Sequence, residues 1–195
     1  AIGNALAEGI AEKITAVAGD DQFDGLRCPY LTEVYLINYL SAILECPVSD
    51  ISSMNVDQLM YILKEEWLVE DPVKFAYSCD VEMRLRTSGI SFETNYDYLL
   101  VEVIAKYINS KLFTYAKEHN NDLMPFDEIT EIVNNIFAKT KENIVPQMQD
   151  GHTLVFTGSY EGIYSIIDET AIYDVIMGAL ENTYNIQKGR KWKKD

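Results

Sequence analysis

The sequence predicts an α+β domain that is mainly α, a helical bundle with one or two inserted β-hairpins. Three observations predict it. Apolar residues recur every three or four positions through most of the chain, the period of a helix with one buried face. Val73 to Leu85 switches to strict alternation, the period of a half-buried strand. The apolar fraction is 48% over 195 residues, which suffices for a core held without disulfide or metal.

Residues 2–18 are the first predicted helix, with Ile2, Leu6, Ile10, Ile14 and Val17 as its apolar stripe. Gly3, Ala5, Ala7, Gly9 and Ala11 lie beside that stripe and let another helix come close. Packing within the chain is the preferred reading of this small face, and self-association the alternative. Asp20 to Tyr30 reads as a loop. Leu31, Val34, Leu36, Tyr39, Leu40, Ile43 and Leu44 mark a second helix. It stops before Pro47, because the residue ahead of a proline is pushed out of the helical region. Asn55, with Gln58 three positions on, forms a reciprocal cap for a third helix buried through Leu59, Ile62, Leu63 and Trp67.

From Val73 to Leu85 every odd position is apolar, while Lys74, Ser78, Asp80, Glu82, Arg84 and Arg86 occupy most even ones. Phe75, Cys79 and Met83 are also four apart, so a helix fits as well; the alternation favours a strand. Thr87-Ser88-Gly89 would turn it, and Ile90 and Phe92 would return as its partner. Asn95 to Glu118 is the longest predicted helix, with Leu99, Leu100, Val103, Ile104, Tyr107, Ile108, Leu112 and Tyr115 inward. Pro125 opens the next, where Asp127 and Glu128 meet the positive end of the helix dipole. Ile129, Ile132, Val133, Ile136 and Phe137 are its buried positions. Residues 153–166 read as a second hairpin about Gly158-Ser159, a pair suited to a type II′ turn. Asp168 caps a last helix whose stripe is Ile172, Val175, Ile176, Ala179 and Leu180. The chain thus divides into one acidic domain, residues 1–187, with hairpins near 73–94 and 153–166, and a basic tail, residues 188–195.

Charge sharpens that division. The tail carries five basic residues and one acidic, or +4, so the chain's net −15 leaves −19 on the preceding 187 residues. Such a body repels a phosphate backbone and excludes a broad nucleic-acid-binding face, while it favours basic partners. In the tail, Lys188, Arg190, Lys191, Lys193 and Lys194 surround Trp192, which makes these six the candidate partner-binding residues. They suit an acidic protein surface, such as the body of a neighbouring copy, and a nucleic-acid contact by the tail alone remains open. Cys28, Cys46 and Cys79 are widely spaced and read as reduced thiols. No apolar run is long enough to span a bilayer, and Glu8 and Glu12 interrupt the N-terminal pattern where a signal peptide would be apolar. The expected location is intracellular, cytoplasmic or within a virion.

Catalytic motifs are missing. There is no GxxxxGK[ST], no HExxH and no GxSxG, and Gly158-Ser-Tyr-Glu-Gly162 has tyrosine where a nucleophile would stand. His119 and His152 are isolated. Asp20-Asp21-Gln22-Phe23-Asp24-Gly25 opens like a calcium loop, yet its twelfth position is Leu31 instead of the required glutamate, so a solvated acidic loop is preferred. The carboxylate pairs Glu65/Glu66, Glu70/Asp71 and Asp80/Glu82 are expected by chance in so acidic a chain. No cofactor, metal or small-molecule substrate is expected.

The capped segment Asn55-Val-Asp-Gln-Leu-Met-Tyr-Ile-Leu-Lys-Glu-Glu-Trp67, the hairpin near 73–94 and the long helices at 95–118 and 126–143 together resemble the head-to-tail adaptor or ring proteins of tailed bacteriophages. The resemblance covers about half the chain and is architectural. It implies a small helical subunit with a β extension, assembled in a ring between portal and tail and without enzymatic activity. The leading functional expectation is accordingly a non-enzymatic structural subunit of an oligomeric complex, a ring or neck component. An acidic inhibitor or nucleic-acid mimic that occupies a basic groove is the second reading. A metal-dependent hydrolase built on scattered carboxylates is the third.

Overall fold

The computed structural model describes residues 2–17, 30–46, 50–51, 53–90, 96–144 and 169–185. Seven helices run through them: α1 (Asn4–Val17), α2 (Leu31–Leu44), α3 (Val56–Glu65), α4 (Pro72–Thr87), α5 (Tyr96–Glu118), α6 (Phe126–Ile144) and α7 (Glu169–Thr183). The expected helices are all present. Among the described residues there is no strand. The hairpin expected at 153–166, the Asp168 cap and the loop from Asp20 to Pro29 lie outside the described residues.

The bundle is organised by α2, which has no wet face. Every residue from Thr32 to Ile43 is buried. A helix buried all round has to be enclosed on every side, and α1, α5 and α6 enclose it. Outside this layer α4 packs on α1, α3 on α4, and α7 on α5. Phe137 of α6 stands edge-on to Tyr39 of α2 at 5.9 Å and to Tyr173 of α7 at 5.6 Å, which ties three helices together.

The small face of α1 does what its composition predicts within the chain. A Cβ added at Gly9 would lie 2.5 Å from the Glu33 carbonyl oxygen and 2.9 Å from Ile37 Cγ1, so α1 and α2 cross nearly backbone to backbone there. The obstacle at Gly9 is main chain, which cannot swing aside as a side chain can. We expect Gly9→Ala to destabilise the fold by about 1–3 kcal/mol, read as a lower urea midpoint at unchanged slope.

The region expected as a strand, 73–86, is helix α4. Its start is fixed by Asp71, whose carboxylate accepts from the Lys74 amide at 3.0 Å, and by Pro72 in the first helical position. Phe75, Ala76, Cys79, Asp80, Met83 and Arg86 are buried, a set spaced by one, three and four residues. The alternation is real but misleading. Phe75, Cys79 and Met83 belong to a period of four as well as of two. The remaining odd positions, Val73, Tyr77, Val81 and Leu85, fall on exposed or half-buried flanks. Asp80 and Arg86, which the strand reading puts among the polar even positions, both point inward.

Asp80 clasps α1. Its two carboxylate oxygens accept from the Gly3 amide at 2.7 Å and the Ala5 amide at 2.8 Å, and the side chain is buried. Amides at a helix start have no intrahelical acceptor, and an anion there also opposes the positive end of the helix dipole. Gly3 holds φ at +95°, and a Cβ on it would approach Val56 Cγ1 to 2.6 Å, so a glycine is needed to bring this amide to Asp80.

Arg86 clasps α2. Its guanidinium donates through both terminal nitrogens to the two oxygens of Glu33, one bond measuring 2.8 Å. The Tyr96 hydroxyl of α5 donates to the same carboxylate at 2.8 Å. All three side chains are buried, so α2, α4 and α5 share one satisfied ionic contact in the core. Burial, helped by the neighbouring Glu33 charge, pushes the Tyr96 hydroxyl well above the usual tyrosine range, which keeps it a donor.

Candidate docking surface

The end of α3 produces the most exposed aromatic residue of the described chain. Its N-terminus carries the predicted reciprocal cap, with the Gln58 amide donating to Asn55 and the Asn55 amide donating to Gln58, each at 2.9 Å. Its C-terminus closes by two bonds: the Leu68 amide to the Leu63 carbonyl at 3.0 Å and the Trp67 amide to the Lys64 carbonyl at 3.0 Å. This pattern requires a left-handed residue between helix and exit, and that residue is Trp67, with φ at 57°. Glycine is the usual occupant, since a Cβ is disfavoured in this conformation. Leu63 and Leu68 pack inward on either side, and the indole is turned outward, 83% exposed.

The sequence reading placed Trp67 on the buried face of α3. The correction has a simple cause: α3 ends at Glu65, so the heptad-like spacing that buries Leu59 and Leu63 no longer applies two residues later. Since Trp67 makes a left-handed turn that glycine makes at lower cost, Trp67→Gly is expected to stabilise the isolated chain by about 0.5–1 kcal/mol. A thermal or urea midpoint at or above that of the parent checks it.

Beside this corner a groove of about 890 Å³ runs between the α3–α4 connection and the first half of α5. Leu68, Val69, Phe75, Leu99 and Val103 form its apolar part, and Val73 and Tyr98, both about half exposed, stand along it. The apolar surface continues along α4 to Tyr77, one turn past Val73, and from there to Ile2, which lines a small recess with Tyr77. Burial and the nearby Glu82 carboxylate hold the Tyr98 hydroxyl above its ordinary range. Glu65, Glu66, Glu70 and Asp71 surround Trp67 in sequence and are all exposed. They are two of the carboxylate pairs read as chance; Asp71 turns out to cap α4 and lines the groove with Glu70, while Glu65 and Glu66 stand at the end of α3.

Other candidates are dispersed. His119 stacks on Tyr115 at 3.8 Å and its Nδ1 meets the Tyr115 carbonyl at 2.9 Å, an arrangement of a helix end. Among the described residues, no three His, Cys, Asp or Glu side chains are grouped to hold a metal ion. No described helix is long and apolar enough to cross a membrane. Cys46 and Cys79 are free thiols, and burial, with the negative charges of Asp80 and Glu33, raises Cys79 far above the reactive range. Cys28, His152, the Asp20 loop and the tail residues Lys188, Arg190, Lys191, Trp192, Lys193 and Lys194 lie outside the described residues.

Glu33, Asp80 and Arg86 are buried charged groups that the sequence reading missed. A charged residue inside the apolar run of α2 was the available signal for Glu33; Arg86 carried none while 73–86 was read as a strand. No family model, curated protein or solved structure matches this chain.

Proposed function

We propose that this chain is a non-enzymatic subunit of a protein assembly, engaging its neighbours through the surface around Trp67, the α4 flank and the groove beside α5. The observation that carries the reading is Trp67 itself. A large indole held outward by a backbone conformation that favours glycine is locally costly, and such inconsistencies concentrate where binding needs them. Tryptophan is also the residue most enriched among the anchors of protein interfaces. The apolar strip of Tyr98, Val73, Tyr77 and Ile2 supplies area around that anchor, with carboxylates at its rim.

The specific assembly we propose is a ring or neck of the kind found between head and tail in tailed bacteriophages. The capped helix at 55–67 and the two long helices that carry the resemblance are helices here; of the β extension expected near 73–94, the part up to Thr87 is a helix as well. The proposal therefore rests on the order and lengths of helices. Light scattering across a wide range of concentration tests the assembly reading. Concentration-dependent mass above one chain supports it, and a strict monomer throughout overturns it.

A further inference from the structure

We infer that the contact between copies is made by the basic tail of one copy, residues 188–195, seated on the α3–α4 corner of the next. This rests on the assembly reading above and names its interface. The two partners have mirrored chemistry. At the corner, Glu65, Glu66, Glu70 and Asp71 flank an exposed Trp67; in the tail, Lys188, Arg190, Lys191, Lys193 and Lys194 flank Trp192. The groove wall itself is balanced, with Lys64, Lys74 and Lys106 against Glu70, Asp71 and Glu102. The negative excess comes from Glu65 and Glu66 on the adjoining turn, so cations belong at the corner and the Trp192 indole in the apolar groove.

The end of α7, which leads into the tail, and the corner lie apart on the bundle. Helix α7 runs alongside α5 in the same direction. At its start, Glu169 and, at the start of α5, Asp97 both act on the Tyr39 hydroxyl. Past its end, the Tyr184 hydroxyl donates to the Met124 carbonyl, beyond the end of α5. The chain therefore leaves the described structure, at Asn185, near the C-terminal end of α5. The groove meets α5 at the opposite half, from Tyr98 to Lys106. With the starts of α7 and α5 both beside Tyr39, the sixteen residues from Glu169 to Asn185 bring the exit level with about Phe113, roughly 10–23 Å along the axis from the groove residues. Seven residues from Asn185 to Trp192 span at most about 25 Å when fully extended. Reach alone admits either copy, and the assembly reading selects the tail of the neighbour. Donor and acceptor are different surfaces of the chain, so the contact is head-to-tail, the type that closes into rings or continues into filaments.

The test mixes ¹⁴N- and ¹⁵N-labelled full-length chains and joins amines to carboxylates with a zero-length crosslinker. Mass spectrometry then reads which isotopes each link carries. Links from Lys191, Lys193 or Lys194 to Glu65, Glu66 or Glu70 in mixed-isotope pairs are expected. Light scattering should show Trp67→Gly and Lys191→Glu/Lys193→Glu chains dissociating at concentrations at least 10-fold above those that dissociate the parent. Adding Glu66→Lys/Glu70→Lys to the tail variant should recover most of that loss. Links confined to single-isotope pairs overturn the inference in favour of a tail folded back on its own chain. Undiminished mass in both variants overturns it while leaving the assembly reading in place. A parent that stays monomeric throughout overturns both.

Discussion

Glu33→Ala is expected to lower stability by about 3–5 kcal/mol, enough to unfold a large fraction of a marginally stable domain. The loss comes from what is left behind. The Arg86 guanidinium is buried against α2, donates both of its terminal nitrogens to Glu33, and would lose that carboxylate from both of them. The Tyr96 hydroxyl, which donates to the same carboxylate, would lose that acceptor too. The comparison that isolates the ionic contact is the double replacement Glu33→Met/Arg86→Leu, which removes both charges and keeps most of the volume. It is expected to recover to within about 2 kcal/mol of the parent, because a buried pair and an apolar pair of similar size are nearly equivalent in stability. Urea unfolding of parent, single and double variants checks this. A double variant as unstable as Glu33→Ala would mean that shape, and not charge, is what this contact supplies.

Asp80→Ala should be the next most damaging change, costing about 2–4 kcal/mol. Two amides, Gly3 and Ala5, would lose their acceptor in a buried setting, at about 1–3 kcal/mol for each unpaired group before relaxation. The location of the damage distinguishes this from a general loss of packing. Amide hydrogen exchange should rise first in α1, with α5 and α6 still protected. Asp80→Asn keeps one oxygen acceptor and should lose roughly half as much. Uniform loss of protection in every helix would contradict a local role for Asp80.

Both clasps show where the sequence was legible and where it was not. Element positions were readable from periodicity and caps: Asn55 with Gln58, Pro125 ahead of α6, and the stop of α2 before Pro47. These signals are local, acting within a few residues. The reading failed at 73–86, because local period could not separate two from four when Phe75, Cys79 and Met83 satisfied both. What decides for a helix is tertiary: Asp80 is required at the start of α1 and Arg86 at Glu33, partners 77 and 53 residues away. The proposed docking surface was half legible. The tail declared itself by charge. Trp67 did not, since its outward turn depends on α3 ending at Glu65, two residues before the position where a continued helix would have carried it to the face of Leu59 and Leu63.

Arg86, Tyr96 and Asp80 reach partners separated by 53, 63 and 77 positions, so the polar contacts of this bundle are among its least local. Helices alone form in microseconds, but closing loops of this size must come first here, and the search is correspondingly slower. Refolding should therefore lag behind that of bundles stitched only between chain neighbours. The Asp80 contacts with Gly3 and Ala5 span the longest of these separations, so docking of α1 is expected to be a late event of folding.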